Sequence, residues 1–105
     1  MKPALLFYCQ HSLGMGHLIR SLAVAEALTA YFRVVLLSGG PLPAGMRLPE
    51  DVEIVALPPL GLAPVSHDVI SRDRETSVDV VRRRRRQMIL EVFDAALPHV
   101  VIVEL

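Results

Sequence analysis

Blocks of apolar and polar residues along the chain predict four strands and two helices. Short apolar segments predict the strands, at residues 4–9, 32–37, 52–57 and 99–103. The first segment is continuously apolar, which is typical of a strand covered on both faces, and we expect it to be central in its sheet. The last segment is also expected to be a buried strand.

Apolar residues with helical spacing predict the first helix, from residue 16 or 17 to about residue 29. One face is expected to pack on the sheet through Leu18, Leu22, Ala25 and Thr29. The opposite face is expected to carry His17, Arg20, Ser21 and Val24. Because His17 and Arg20 are three residues apart, their side chains can meet at one site.

A second helix is predicted from residue 78 to residue 97. Apolar residues recur on one face of this segment, Ser77 is a suitable N-cap, and Pro98 interrupts helical hydrogen bonding. The elements then follow as strand, helix, strand, loop, strand, helix, strand. Right-handed crossovers predict an α/β fold, a Rossmann-like parallel sheet of about four strands in the order 3-2-1-4 with flanking helices.

The domain organisation follows from this order. Residues 61–76 are polar and aperiodic, which predicts an irregular connection that is functional or mobile. We interpret residues 1–105 as a single Rossmann-like domain. We also expect it to be the N-terminal part of a longer two-domain protein, because catalytic loops in open α/β sheets follow strand ends and no loop follows the fourth strand here.

A glycine loop between the first strand and the first helix is the main candidate for chemistry. Gly14 and Gly16 let the backbone turn sharply and approach a ligand, and helix N–H groups favour an anion such as phosphate. His17 adds a group that exchanges protons near neutral pH. Met15 and Arg20 complete the candidate phosphate or substrate site, although a plain turn into a helix is the simpler interpretation.

Two common nucleotide motifs are excluded at this loop. A dinucleotide fingerprint needs a third glycine, where Ile19 stands, and an acid after the second strand, where Ser38-Gly39-Gly40 stands. The GxxxxGK[ST] pattern of a P-loop is absent. The loop therefore predicts neither NAD nor FAD, and we expect no cofactor and no metal in this domain.

Other polar residues follow predicted strands and are expected at the same edge of the sheet. Ser38, Gly39 and Gly40 are candidate substrate contacts, although a plain glycine turn is the safer interpretation. Glu104 follows the fourth strand and could bind a substrate hydroxyl or be an ordinary terminal acid. His11 is a weaker candidate, more suited to shaping the loop.

Charge is balanced overall but not locally. The chain has eleven basic and eleven acidic residues, and seven of its ten arginines lie between residues 72 and 86. The run at 82–86 could bind anionic lipid headgroups or nucleic acid. We predict no nucleic-acid partner, because no aromatic residues interleave the run. Arg85 falls on the apolar stripe, where we expect it to reach past the core edge or to pair with Asp79 or Glu91.

Cysteine content and hydropathy bear on the compartment. The single cysteine, Cys9, excludes an internal disulfide and fits a core position on a buried strand. The apolar run before it is too short for a secretory signal or a membrane span. We therefore expect a cytoplasmic protein, with peripheral contact at the inner membrane face as an option.

Residues 7–28 resemble the start of GT-B glycosyltransferases. The resemblance is closest to the MurG-like group and to predicted bacterial glycosyltransferases, which begin with a strand, a Gly-x-Gly-His-x-x-Arg segment and an Ala/Leu-rich helix. Gly14, Gly16, His17 and Arg20 carry that pattern. The Ser-Gly-Gly turn at 38–40 and residues 98–104 also fit it.

The resemblance implies that the chain is the acceptor-binding N-terminal domain of an inverting glycosyltransferase. Such an enzyme transfers a sugar from a nucleotide-diphospho-sugar to an acceptor hydroxyl, and the expected donor is a UDP-sugar. It implies backbone donors at Gly14 and Gly16 and a catalytic base or orienting group at His17. The implied partners are a small-molecule or glycolipid acceptor and a C-terminal donor-binding domain. The residues alone leave open a non-enzymatic Rossmann-like module that binds a phosphorylated ligand or a protein partner.

Overall fold

The computed structural model describes residues 1–10, 16–62, 69–71 and 77–104. It contains two helices and six strands in this part of the chain. In chain order they are β1 (Ala4–Cys9), α1 (Gly16–Leu28), β2 (Arg33–Ser38), β3 (Glu53–Ala56), β4 (Leu60–Leu62), β5 (Val69–Ser71), α2 (Val78–Ala96) and β6 (Val100–Glu104).

The main sheet has four parallel strands in the order β3-β2-β1-β6. This confirms the predicted fold class and the predicted strand order. β1 lies between β2 and β6, with Cys9 level with Ser38 on one side and with Glu104 on the other. The carboxyl ends of these three strands therefore meet at one edge of the sheet.

Two apolar layers cover the two faces of the sheet. Alternate residues of β1 separate them, because successive strand side chains point to opposite faces. Leu5 and Phe7 pack with the α1 residues Leu18, Leu22 and Ala25. The opposite layer contains Leu6, Val35, Leu37, Leu57 and Ala96, with Met88, Ile89 and Val92 of α2 packed against it.

The predicted sheet-facing side of α1 is confirmed for Leu18, Leu22 and Ala25, which are buried. The helix ends at Leu28, one residue before Thr29. The placement of Ser21 on the outward face is wrong, since this residue is buried. Ser21 is three residues after Leu18 and therefore lies next to it on the helix surface. The buried face of α1 is thus wider than the predicted apolar stripe.

The bounds of α2 agree with the prediction to within one residue. Ser77 is the N-cap, and its hydroxyl accepts a hydrogen bond from the Val80 N–H at 3.3 Å. Leu97 follows the helix in the left-handed conformation, with φ of 49°, and its N–H donates to the Phe93 carbonyl. Pro98 then prevents further helical hydrogen bonding.

Two predictions about the strands are corrected. β6 is not buried, since Val101 is 48% and Val103 56% exposed. The reason is its place at the edge of the sheet, where the described residues pair it with β1 alone. The predicted irregular connection at 61–76 instead contains most of an antiparallel pair, β4 with β5. Residues 63–68 and 72–76 of that connection lie outside the described part of the chain.

Neither described helix is long and apolar enough to span a bilayer.

Candidate functional site

Backbone hydrogen bonds connect the carboxyl ends of three strands, β1, β2 and β6, at one edge of the sheet; we call such carboxyl ends strand exits. The Gln10 N–H donates to the Glu104 carbonyl at 2.9 Å, and the Gly39 N–H donates to the Cys9 carbonyl at 2.8 Å. Ligands of open α/β sheets commonly bind at such an edge. Glu104 and the first turn of α1 lie at this edge, which is where the sequence placed the candidate site.

His17, Arg20 and Glu104 form one polar cluster. The Nδ1 atom of His17 lies 3.1 Å from Oε1 of Glu104 and 2.9 Å from Nη2 of Arg20. Arg20 Nη2 also donates to the same Glu104 oxygen. The prediction that His17 and Arg20 meet is confirmed, and Glu104 joins them across 87 residues of sequence from His17.

The His17 Nδ1 atom has two mutually exclusive hydrogen bonds. If it carries a proton, it donates to Glu104; if it does not, it accepts from Arg20. The first arrangement leaves the lone pair of Nε2 available to accept a proton. The second places the proton of the neutral ring on Nε2. The choice between Glu104 and Arg20 therefore decides whether this imidazole can act as a base at Nε2.

Hydrogen bonds from His17 and then from Arg20 lower the pKa of the Glu104 carboxyl from its ordinary value. The carboxylate is therefore ionised near neutral pH and can accept the hydrogen bond of a His17 Nδ1–H group. The His17 side chain is 47% exposed, so a ligand can reach the ring from solvent. The cluster combines a proton acceptor, an orienting carboxylate and a cation.

Cys9 lies beneath this cluster as a core residue. It is fully buried, and its thiol lies 3.9 Å from the His17 carbonyl oxygen. Burial raises the pKa of the Cys9 thiol, which keeps it protonated. Its position agrees with the expected structural role and offers no nucleophile to the site.

The turn at residues 38–40 follows β2 at the same edge of the sheet as the cluster, since Ser38 and Glu104 are both level with Cys9. Ser38 is fully buried, and its hydroxyl donates to the Gly40 carbonyl at 3.0 Å. The Gly39 N–H is used within the sheet edge, and Gly40 is buried. The role of these three residues as substrate contacts stays a prediction.

The remaining loop candidates divide between described and undescribed residues. Gly16 begins α1, and open space surrounds the position that a Cβ atom would take there. His11, Gly14 and Met15 lie outside the described residues. Within the described ranges, no three His, Cys, Asp or Glu side chains are grouped as metal ligands.

Arg85 is a residue of this edge that the sequence did not assign to the site. It lies on the buried face of α2 and is 5% exposed. The predicted pairing with Asp79 or Glu91 is wrong, because its guanidinium instead donates to neutral oxygens of Tyr8, Gln10, Gly39 and Pro58. The signal in the sequence that points to Arg85 is its place on the apolar stripe of the helix. The other four arginines of the run at 82–86 are exposed.

Comparison with known proteins supports the fold. No protein-family model matches the chain, and no curated protein matches its sequence. Among solved structures, the chain is similar to that of Phytolacca americana UGT2 complexed with UDP-2fluoro-glucose and pterostilbene, with a TM-score of 0.61 and 21% sequence identity.

This similarity covers 98% of the chain but 26% of the plant protein, so the chain spans about a quarter of the length of that neighbour. It lends no particular support to a MurG-like subgroup. At this identity the likeness shows the fold: a four-stranded parallel α/β sheet with flanking helices, which the chain shares with a plant UDP-glycosyltransferase of the GT-B fold.

Proposed function

We propose that this domain binds the acceptor in a glycosyltransferase that transfers a sugar from a nucleotide-diphospho-sugar to an acceptor hydroxyl. The proposed donor is a UDP-sugar. One observation carries the proposal: the exposed imidazole of His17 lies 3.1 Å from the Glu104 carboxylate at the carboxyl edge of a parallel sheet. The GT-B fold of the structural neighbour and its UDP-sugar ligand are consistent with it.

His17 acts as the general base. With Nδ1–H donating to Glu104, the lone pair of Nε2 removes the proton of the acceptor hydroxyl as its oxygen attacks C1 of the sugar. The bond between C1 and the diphosphate oxygen breaks on the opposite side, so the configuration at C1 inverts. The electron pair of that bond leaves with the nucleoside diphosphate.

Glu104 and Arg20 determine which ring nitrogen of the neutral His17 carries the proton. The Glu104 carboxylate orients the imidazole and stabilises the imidazolium that forms when the acceptor loses its proton. Arg20 neutralises the carboxylate between turnovers and competes for it with His17. A donor diphosphate near this edge would draw Arg20 away from His17 and leave Nδ1 bonded to Glu104. The donor itself is held mainly by a C-terminal domain in this proposal.

The proposal is tested by a transfer assay with the protein at its native length. UDP-sugars are combined with a panel of small hydroxylated acceptors, and products are measured by mass spectrometry. We expect His17→Ala to lower the rate by about 10²- to 10⁴-fold, the usual contribution of a general base. His99→Ala is the matched control, because His99 is exposed at the other end of β6.

Retention of the wild-type rate in His17→Ala would contradict the role of His17. The absence of any transfer product by the wild-type protein, together with tight binding of a phosphorylated ligand, would instead favour a non-enzymatic binding module.

A further inference from the structure

The Arg85 guanidinium joins three strand exits at the edge that carries the candidate site. Nη1 donates to the carbonyl oxygens of Gly39 at 2.7 Å and Pro58 at 2.9 Å. Nη2 donates to the Tyr8 hydroxyl at 2.7 Å and to Gln10 Oε1 at 2.6 Å. These bonds use all four hydrogens of the two terminal nitrogens. One side chain of α2 thus connects β1, the exit of β2 and the segment after β3.

The surroundings of Arg85 are shaped to this group. A Cβ atom at Gly39 would lie 2.6 Å from Gln10 Oε1 and 2.9 Å from Arg85 Nη2, so any other residue would displace these two side-chain ends from the hydrogen bond that joins them. The Tyr8 hydroxyl donates to the same Gln10 oxygen at 2.5 Å. A buried cation is costly unless its donors are satisfied, and a planar fork meets several fixed acceptors better than an ammonium group does.

Gln10 connects this cluster to the candidate site. Its side chain accepts from Arg85, while its backbone N–H donates to the Glu104 carbonyl at 2.9 Å. Fixing the Gln10 side chain therefore fixes the backbone beside Glu104.

We infer that Arg85 is a positioning residue, which holds Gln10 so that Glu104 stays in contact with His17 and Arg20. Its contribution is geometric: a positive charge alone at this place does not replace it. The inference rests on the proposed function in so far as the His17–Glu104 cluster is the reacting centre, but its test needs no turnover.

The test follows the titration of the Glu104 carboxyl in the protein at its native length. Glutamate side chains are labelled with ¹³C, and the Glu104 signal is assigned by its loss in Glu104→Gln. The groups that face this carboxyl are His17, Arg20 and the buried Cys9. The variants are Arg85→Lys, which keeps the charge, and Gln10→Ala, which removes the side-chain acceptor. Arg84→Lys is the matched control, because Arg84 is the exposed neighbour of Arg85.

We expect Arg85→Lys and Gln10→Ala to shift the Glu104 midpoint upward, towards the ordinary glutamate value, and Arg84→Lys to leave it unchanged. A wild-type midpoint in folded Arg85→Lys would overturn the inference, because charge alone would then suffice.

Folding is checked by circular dichroism. If Arg85→Lys does not fold, Gln10→Ala decides: an upward shift supports the positioning role, and a wild-type midpoint overturns it. A failure of the transfer assay leaves this readout unaffected, so the two proposals can fail separately.

Discussion

The properties of the site depend on a single nitrogen atom, Nδ1 of His17. Helical phase was enough to predict that His17 and Arg20 would meet, because residues three apart on a helix are neighbours. The same reasoning could not place Glu104 beside them. That contact depends on the register of β1 against β6, which sets Cys9 level with Glu104. Register depends on how the apolar residues of both strands pack across the sheet and on the connections between the strands, which the phase of one helix does not contain.

Acid should separate the three side chains of the cluster. The pKa of Glu104 is lowered in the folded protein, so its contribution to stability is present above the ordinary glutamate value and is lost as the pH falls through the lowered value. We expect wild type to be slightly more stable than Glu104→Gln at pH 7 and equal to it in strong acid. Denaturant unfolding of both proteins across this range measures the difference. A difference that grows on acidification would contradict the arrangement.

Two glycines of the site region should respond to alanine in opposite ways. At Gly39 a methyl group would displace the ends of the Gln10 and Arg85 side chains from their hydrogen bond, and it would lie 3.1 Å from the Cys9 carbonyl oxygen, so Gly39→Ala should destabilise the protein by about 1–3 kcal/mol. At Gly16 nothing lies within 4 Å of the added atom, and alanine is the better helix former. Gly16→Ala should therefore be neutral or slightly stabilising. Denaturant titrations measure the free energy of unfolding of both variants. Equal changes in Gly39→Ala and Gly16→Ala would contradict the predicted crowding at Gly39.

At the scale of the elements, local signals in the sequence were reliable where one side of an element was buried. The helix bounds followed from apolar spacing, from Ser77 and from Pro98. The position of Arg85 on the apolar stripe could be predicted from its phase, but the burial of its guanidinium and its partners could not, since these partners follow three separate strands. The strands β4 and β5 were missed because each has three residues, too few for a periodic pattern.

The N-cap of α2 offers a test at this scale. Ser77→Ala removes the hydroxyl that accepts from the Val80 N–H, so we expect a loss of about 1 kcal/mol in the free energy of unfolding. Ser77→Asp is the control, since aspartate caps a helix end as well as serine does. Thermal and denaturant unfolding measure both. Equal losses in the two variants would show that the cap contributes nothing specific.

At the scale of the molecule, chain order predicted the sheet. Strands and helices that alternate along the chain form a parallel sheet through right-handed crossovers, and the order β3-β2-β1-β6 confirms this. The exposure of β6 was not predicted, because an apolar segment of sequence does not reveal whether anything covers it. The fold brings the strand exits together, and the proposed chemistry depends on that arrangement.

The central claim is that His17 and Glu104 act together on the acceptor hydroxyl. A double-mutant cycle on kcat/KM for sugar transfer tests it most directly, with His17→Ala, Glu104→Gln and the double variant in the protein at its native length. If Glu104 works through His17, it has no function once the imidazole is gone, and the double variant should be about as slow as His17→Ala alone. Losses that multiply in the double variant would contradict the claim, because the two residues would then act independently.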